Sequence, residues 1–367
     1  MGINLDTQYK AVLGKAAALG VTVSDDQKWY LKNWVLGNSQ VSDSVKGDVD
    51  QAFVLSRALE AELAIRPEVP RPELPLAEGD LLPTITVDKG AKSYHYPLSD
   101  AQGQAEWSSG SGKDMPMVSV SSGEMLGYLA RTFLGYTWDT EDLRTTQFSG
   151  QPLQPRLSTA ATRGHMEEWD SALAWGRESE RLLGLFNHPN ITLTTASDKG
   201  AGNTSWRVAT IAQILADIAA AINVVPVVMN ETRHINTILW SPRVGRFLRQ
   251  TLAFPLESGN SDTLWNVIKR TFIGDTDNPV ENPVEFREVR YCDATNARSQ
   301  GRVASDFMFG MIRGDQTKVA RVNAMNPTFA APQQEGLTVN VYGEAKRGGV
   351  EMAEPLTCVR QDGIFNG

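Results

Sequence analysis

The fold is decided around residues 182–192, which read LLGLFNHPNIT. This segment joins two parts of the chain with different patterns. Before it, residues 157–180 favour one long helix, because apolar residues recur there at three- and four-residue steps. After the turn-forming residues 187–190 (NHPN) a second lobe begins, in which strands and helices alternate. The segment is therefore predicted to mark the boundary between two lobes.

The long helix is predicted to cross the first lobe over residues 157–177, with Pro155 in its opening turn. Glu167, Glu168 and Arg177 are expected to point outward. Trp175 and Met166 lie off the main apolar stripe, so whether the helix also buries a second face stays open. Four residues fall near one face at 3.6 residues per turn and are expected to pack on a sheet made from residues 128–137 and the C-terminal strands: Leu157, Ala161, Trp169 and Leu173.

Upstream of the helix, residues 83–136 have strand chemistry. Extended runs at residues 84–87, 93–96 and 117–120 flank a Gly/Ser-rich stretch, which predicts a long β-hairpin with its tip at 103–113. The polar composition of this hairpin buries little surface in a monomer, so we expect it to lie on a neighbouring subunit.

The two ends of the chain complete the organisation. Residues 1–70 predict helices at 25–36 and 45–63 followed by a stiff proline-rich arm. The helix at 45–63 is expected to dock on its own or an adjacent subunit. Ser241-Pro242 is typical of a helix start. The other predicted elements of the second lobe and C-terminus are helices at 206–222, 244–252 and 264–272, and strands at 237–240, 285–291, 303–312, 337–342 and 349–358.

Composition excludes several classes of protein. The net charge is −8 and the pI about 5.2, and no run of four or more Lys/Arg occurs, so tight electrostatic binding of nucleic acid is not expected. Cys292 and Cys358 do not make a disulfide framework in 367 residues, which favours folding in a reducing compartment. No signal peptide and no run of about 18–20 apolar residues is found, so no membrane span is expected.

The search for catalytic, cofactor or metal sites predicts none. The segment 109–114 (SGSGKD) lacks the first glycine and the final Ser/Thr of a phosphate loop. The acidic loop 275–285 lacks the glycine of a calcium loop. The carboxylates Glu167, Glu168 and Asp170 are interpreted as a solvated helix face or as charges at a subunit contact. No two of the four histidines stand at a helical ligand spacing, and no cysteine is near one: His95, His165, His188 and His234.

A resemblance to a known family adds to this reading. Residues 182–192 resemble the segment that follows the spine helix in major capsid proteins of tailed bacteriophages, whose fold encapsulin shells share. Residues 83–120, with the turn at 88–91 (DKGA) and the return strand at 115–120 (MPMVSV), resemble the extended loop of that family. Residues 347–350, 354–356 and 362–364 resemble its closing strands. The resemblance covers about residues 70–250 and 335–365.

The resemblance implies an α+β fold of the Hong Kong 97 type and a shell subunit without catalytic residues, cofactor or metal. It implies pentamers and hexamers in an icosahedral phage head around double-stranded DNA, which the shell contacts only loosely, with folding and assembly in the host cytoplasm. Scaffolding, portal and cement proteins stay open as partners. The implied division is an N-terminal region and arm (1–82), an extended hairpin loop (83–122), a peripheral domain (123–195), an axial domain (196–325) and C-terminal strands that return to the peripheral domain (326–367).

Three alternatives stay open at this stage. An encapsulin-type compartment shares the fold but encloses a cargo protein. A tail or portal component forms a single ring. A hydrolase with a site assembled from distant residues belongs to another class, and the absence of a nucleophile elbow, metal spacing or phosphate loop argues against it.

Overall fold

The computed structural model describes residues 71–102, 117–148, 153–253, 262–275, 278–296, 299 and 301–366. The chain divides into two compact units, Met1–Arg71 and Pro72–Gly367, and the described residues belong to the second except for Arg71. The helices predicted at 25–36 and 45–63, most of the proline-rich arm and the hairpin tip at 103–113 lie outside the described residues. Residues 72–82 belong to the same unit as the two lobes.

Helices and strands mix throughout the described part of the chain, as predicted. The helices are α1 (Thr140–Phe148), α2 (Leu153–Trp175), α3 (Ile211–Val228), α4 (Pro242–Gln250) and α5 (Leu264–Ile268). The strands are β1 (Thr84–Thr86), β2 (Ser93–Gln102), β3 (Ser119–Phe133), β4 (Tyr136–Asp139), β5 (Thr192–Thr195), β6 (Thr237–Trp240), β7 (Gly274–Asp275), β8 (Asn278–Pro279), β9 (Glu285–Glu288), β10 (Ser305–Met311), β11 (Val319–Phe329), β12 (Gln333–Glu335), β13 (Thr338–Val341), β14 (Gly343–Met352) and β15 (Val359–Asn366).

Two five-stranded sheets organise these elements. The first has the order β1-β11-β14-β3-β2, and the second has the order β5-β15-β10-β6-β9. A three-stranded sheet (β12-β13-β4) and the small pair β7-β8 complete the described strands. Most pairs are antiparallel, but β1 runs parallel to β11, β5 to β15 and β6 to β9.

The long helix α2 packs on the first sheet through β14 and β11, and on β4. It begins four residues earlier than predicted, keeps Pro155 in its first turn, and runs unbroken past Gly164. Gly176, with φ +70, follows its last residue. Glu168 and Arg177 are partly exposed and form an ion pair, as expected for an outward face. Three of the four predicted core residues are buried and Leu157 is half-buried, while the helix also buries a second set: His165, Asp170 and Trp175.

The apolar helix α3 begins later than predicted. Thr210 and Gln213 form a capping box, in which each side chain accepts a hydrogen bond from the backbone N–H of the other. Trp206, predicted inside the helix, lies before this cap and is fully buried. By length and composition alone α3 is apolar enough to cross a membrane, a test that core helices of soluble proteins also pass.

Other sequence predictions need correction. The hairpin consists of β2 and β3, whereas β1 pairs with β11 in the sheet and β3 continues to Phe133. The predicted strand at 285–291 ends at Glu288 and becomes a 3₁₀ turn at Arg290–Cys292. The predicted helix at 264–272 turns into a π-helical segment at Lys269–Ile273.

The C-terminal strands predicted to return together to the first lobe are divided between the two sheets. β14 lies in the first sheet, and a 3₁₀ turn at Pro355–Thr357 then redirects the chain. β15 lies in the second sheet between β5 and β10. The reason is burial: Ile364 and Phe365 fill the core of the second lobe. β11, which was not predicted, lies in the first sheet beside β14.

Two hydrophobic clusters form the core, and β10 of the second sheet contributes residues to both. The first gathers residues 74–82, the C-terminal half of α2 and residues of β10, β11 and β14. The second gathers α3, α4, α5 and β6, and Trp240 at its centre stacks on Phe286 with ring centroids 4.7 Å apart. The Ser241-Pro242 helix start predicted from sequence is present, with Ser241 capping α4 through the N–H of Val244.

Candidate assembly surfaces

The hairpin of β2 and β3 extends away from the first sheet. Its ten residue pairs run from Ser93↔Tyr128 to Gln102↔Ser119, which corresponds to a ribbon about 33 Å long. β3 also pairs with β14, but only from Phe133 to Leu129. Beyond that point the described neighbour of β3 is β2. The hairpin therefore projects as two strands whose backbones pair with each other.

Both faces of the outer part of β3 are exposed. Every residue of β3 from Ser119 to Leu126 is exposed, and Val120 and Leu126 keep 67% and 58% of their surface in solvent. Val118, Val120 and Leu126 share one face of the strand, because side chains alternate between faces. A two-stranded ribbon with exposed apolar residues is only marginally stable alone. This surface is therefore suited to contact with another molecule.

Residues 72–82 dock in the opposite manner, buried against α2 and the first sheet. Asp170 of α2 is fully buried, and its Oδ1 accepts hydrogen bonds from the backbone N–H of Leu76 and of Ala77, both at 2.9 Å. Its Oδ2 accepts from Tyr291 at 2.7 Å and from Arg290 at 3.0 Å. The prediction that Asp170 belongs to a solvated face is therefore wrong: this carboxylate joins three distant segments.

The Asp170 carboxylate affects the titration of Tyr291. Burial and the adjacent Asp170 carboxylate raise the pKa of Tyr291, so the phenol stays protonated and donates. The buried carboxylate is compensated by one cation and three neutral donors, which is the condition for burying a charge without a large penalty. The contact is a structural anchor.

Two arginines flank Trp169 beside this anchor. The guanidinium of Arg347 lies 4.3 Å from the Trp169 ring centroid and that of Arg321 lies 5.6 Å from it, which is cation–π geometry. Arg321 donates to the carbonyls of Leu76 and Ala77 at 2.7 and 2.6 Å. Burial, and secondarily the charge of Arg321, lowers the pKa of Arg347 to about 10. Residues 72–82 are thus held by the Arg321 donor on β11 as well as by the Asp170 acceptor on α2.

An exposed ionic network closes the end of this segment. Asp80 pairs with Arg287 at 2.7 Å and also with Arg313, and Glu285 pairs with both arginines. Arg313 donates further to the carbonyl of Asp80. A network of four charges is more effective than an isolated surface pair. It ties residues 72–82 to β9 of the second sheet.

The second lobe holds a buried ion pair of its own. Asp217 of α3 and Lys199 lie 2.6 Å apart, with side chains 3% and 0% exposed. Asp217 also accepts from Ser197 and Trp206. Burial by itself raises the pKa of Asp217, but these hydrogen bonds outweigh it and the net pKa is lowered. The pair fixes the loop that precedes α3.

The residues weighed earlier for chemistry do not converge. His165 and His188 are buried, and burial lowers the pKa of each. Cys292 and Cys358 are buried free thiols with raised pKa values. Across the described ranges no group of three or more His, Cys, Asp or Glu is placed to hold a metal ion. Residues 109–114 lie outside those ranges.

Comparison with solved structures identifies the fold. The chain is similar to the capsid of Myoviridae phage XM1, with a TM-score of 0.65, 13% identity, and coverage of 86% of this chain and 100% of that chain. It is similar to the capsid of the cyanophage P-SCSP1u, with a TM-score of 0.55, 12% identity and coverage of 89% and 99%. It is also similar to the capsid of the native GTA particle, with a TM-score of 0.52, 8% identity and coverage of 89% and 100%. The fold is thus the Hong Kong 97 type, as predicted.

The sequence itself gives the family. The model of the family described as major capsid protein matches residues 103–364, and the chain belongs to that family. No curated protein matches the chain. The sequence predicted the hairpin itself, which the structure shows as the pair β2 and β3; its contact with a neighbour stays a prediction. It did not show the anchor at Asp170, because the partners of this carboxylate lie 93, 94, 120 and 121 residues away.

Proposed function

We propose that this major capsid protein forms an icosahedral phage head from pentamers and hexamers, and that the head encloses double-stranded DNA. The observation that carries the proposal is the hairpin, whose β3 residues from Ser119 to Leu126 are all exposed in a chain of the capsid family. A neighbouring subunit would cover that surface. Identical head-to-tail contacts close into rings when the rotation between subunits allows it.

The parts of the chain take the roles that the resemblance implies. The first sheet with α2 would serve as the peripheral domain, with α2 as its spine, and the lobe around α3 as the axial domain near the capsomer axis. The N-terminal region would dock on its own or an adjacent subunit. The assignments are supported by the two five-stranded sheets, of which the first carries α2 and the second packs on α3 through β15.

The same proposal describes a structural protein without catalysis, cofactor or metal. The buried carboxylates Asp170 and Asp217 are fully engaged in anchoring contacts, which supports a structural role for them. The net charge of −8 favours only loose contact with packaged DNA. We place the protein in the virion, after assembly in the host cytoplasm, with no membrane partner.

The direct test is assembly of the purified chain, measured by sedimentation and electron microscopy. We expect closed shells or capsomers far heavier than 40.2 kDa. Shells from infected cells should contain DNA, whereas a protein cargo would identify an encapsulin-type compartment. A stable monomer under assembly conditions would contradict the proposal.

A deletion tests the hairpin directly. Removal of residues 102–113 should leave the thermal unfolding of the subunit unchanged, because none of the described residues 117–126 at this end of the hairpin belongs to either core. It should abolish shell formation, because the contact surface is lost. The double variant Glu141→Ala and Arg144→Ala, which removes an exposed ion pair of α1, is the matched control and should still assemble. Normal shells from the deletion variant would show that the hairpin is not the contact.

A further inference from the structure

The point where the hairpin leaves the first sheet is sharply defined. β3 pairs with β14 from Glu344↔Phe133 to Gly348↔Leu129. The next residue of β3, Tyr128, pairs with Ser93 of β2. The change of partner falls between Leu129 and Tyr128, so any swing of the hairpin takes place there.

One face of this point is tied by a side chain that crosses a strand. Tyr94 of β2 stands opposite Gly127 of β3. Its hydroxyl donates a 2.8 Å hydrogen bond to Oε2 of Glu351 on β14. Because the strand order is β14-β3-β2, the Tyr94 side chain passes over β3 to reach β14. Glu351 lies three residues beyond Gly348, where the backbone pairing of β14 with β3 ends. The Tyr94–Glu351 bond therefore extends the contact between β14 and the hairpin past that point.

The crossing requires glycine at position 127. A Cβ atom there would lie 2.2 Å from Cζ of Tyr94, closer than any real contact, so an alanine displaces the ring. Gly123, on the same face of the same strand, has no atom within 4 Å of the corresponding position. Burial and the Glu351 carboxylate raise the pKa of Tyr94 and of the adjacent Tyr96, so both phenols stay protonated over the neutral range.

The opposite face is held by another element. Tyr128 points away from the Tyr94 side, since neighbouring residues in a strand alternate. Arg181, in the turn after α2, donates to the Tyr128 hydroxyl at 3.3 Å and places its guanidinium 5.3 Å from the ring centroid. The base of the hairpin is therefore clamped between β14 and the turn that follows α2.

We propose that Tyr94, Gly127 and Glu351 are positioning residues, together called the lock. They set the angle at which the hairpin leaves the subunit, and thereby the geometry of the shell. The proposal rests on the function proposed above, in which the hairpin contacts a neighbour. The length of the ribbon converts a small rotation at its base into a large displacement at its end. A rotation of about 10° at the base moves the end of a ribbon of about 33 Å by roughly 6 Å. A displacement of that size changes which part of a neighbour the hairpin meets.

The experiment compares Gly127→Ala with Gly123→Ala as a matched control. Amide hydrogen exchange of the unassembled protein reports on the base of the hairpin, and electron cryo-microscopy of assembled particles reports on shell diameter. Gly127→Ala should speed exchange at residues 93–96 and 126–129 and should give shells of altered diameter or open sheets. Gly123→Ala should match the wild type in both measurements. Wild-type exchange and diameter in Gly127→Ala would overturn the proposal.

Two further variants separate the lock from a general loss of folding. Tyr94→Phe removes only the hydroxyl and should speed exchange at the base by about fivefold, the effect of losing one hydrogen bond, with no change in the melting temperature of the core. Glu351→Gln keeps an acceptor and should retain the wild-type shell diameter. In a Tyr94→Ala background, Gly127→Ala should add no further effect, because the ring that it displaces is gone. Additive effects would argue against the lock.

The two proposals fail in distinguishable ways. If the wild-type chain forms no particles, the proposed function fails, while exchange still measures the lock. If the wild type assembles and Gly127→Ala assembles identically, the lock fails and the proposed function stands.

Discussion

The outer hairpin and residues 72–82 are opposites in structure and in burial. The hairpin has continuous strand pairing over ten positions, yet residues 119–126 are all exposed. Residues 72–82 form only turns and bends, yet they place five apolar side chains in the first core: Leu74, Leu76, Ala77, Leu81 and Leu82. Regular hydrogen bonding and membership of a core are thus independent properties in this subunit.

The difference shows where each segment obtains its stability. Residues 72–82 are stabilised within the subunit, by burial and by donors and acceptors on α2, β11 and β9. Residues 119–126 of the hairpin stay exposed, so this segment gains no stability from the two cores, and we expect a neighbouring molecule to bury it. Substitutions in the two segments should therefore affect different measurements.

The largest effect is expected from removing the anchor of residues 72–82. Asp170→Ala leaves Arg290 and two backbone N–H groups buried without their acceptor, which should cost about 3–5 kcal/mol of unfolding free energy. Urea denaturation measures this. Glu141→Ala, which breaks an exposed ion pair with Arg144, is the control and should cost less than about 1 kcal/mol. Equal losses in the two variants would show that Asp170 is no anchor.

A matched pair of leucine substitutions compares the two segments directly. Leu76→Ala in the core should destabilise the subunit by about 2–5 kcal/mol, because a cavity remains where the side chain was buried. Leu126→Ala on the hairpin should change subunit stability by less than about 0.5 kcal/mol, and should instead weaken assembly. Denaturation of the unassembled protein and light scattering of assembly separate the two effects. Destabilisation by Leu126→Ala as large as that by Leu76→Ala would contradict the comparison.

A smaller effect is expected on the pH dependence of subunit stability. Burial lowers the pKa of His165, which contacts Thr132 of β3 at 3.0 Å. The unfolded chain therefore binds a proton at His165 more readily than the folded chain does. The contribution of neutral His165 to the free energy of unfolding should be fully present above pH 6.5. It should decrease as the pH falls below that value, until the folded-state pKa is passed. Denaturation midpoints across this range should show a weaker pH dependence in His165→Gln. An unchanged dependence would mean that His165 does not couple to folding; His188, also lowered by burial, contributes the remainder.

Local signals in the sequence predicted local structure well. The Ser241-Pro242 start, the strand Thr237–Trp240 and the length of α2 each depend on neighbouring residues, and each matches the structure closely. The start of α3 was misplaced because the capping box at Thr210 and Gln213 was overlooked. β11 was missed because polar residues and Pro327 interrupt its apolar pattern, and its partners β1 and β14 create the strand.

Long-range contacts escaped the sequence for a physical reason. The carboxylate of Asp170 differs in no local respect from those of Glu167 and Glu168, and only donors far away in the chain make it a buried anchor. The placement of β15 in the second sheet likewise depends on pairing with β5 and β10 across the whole second lobe. The functional prediction was less affected, because the exposed hairpin is local in sequence.

The central position of β15 makes completion of the second sheet depend on residues 359–366. Its neighbours β5 and β10 both precede it in the chain. One edge of each therefore stays unpaired until β15 has been synthesised. A product truncated before residue 359 would keep two unpaired strand edges and lose Ile364 and Phe365 from the second core. We expect such a chain to aggregate or to be degraded, so that only chains translated through this strand reach assembly.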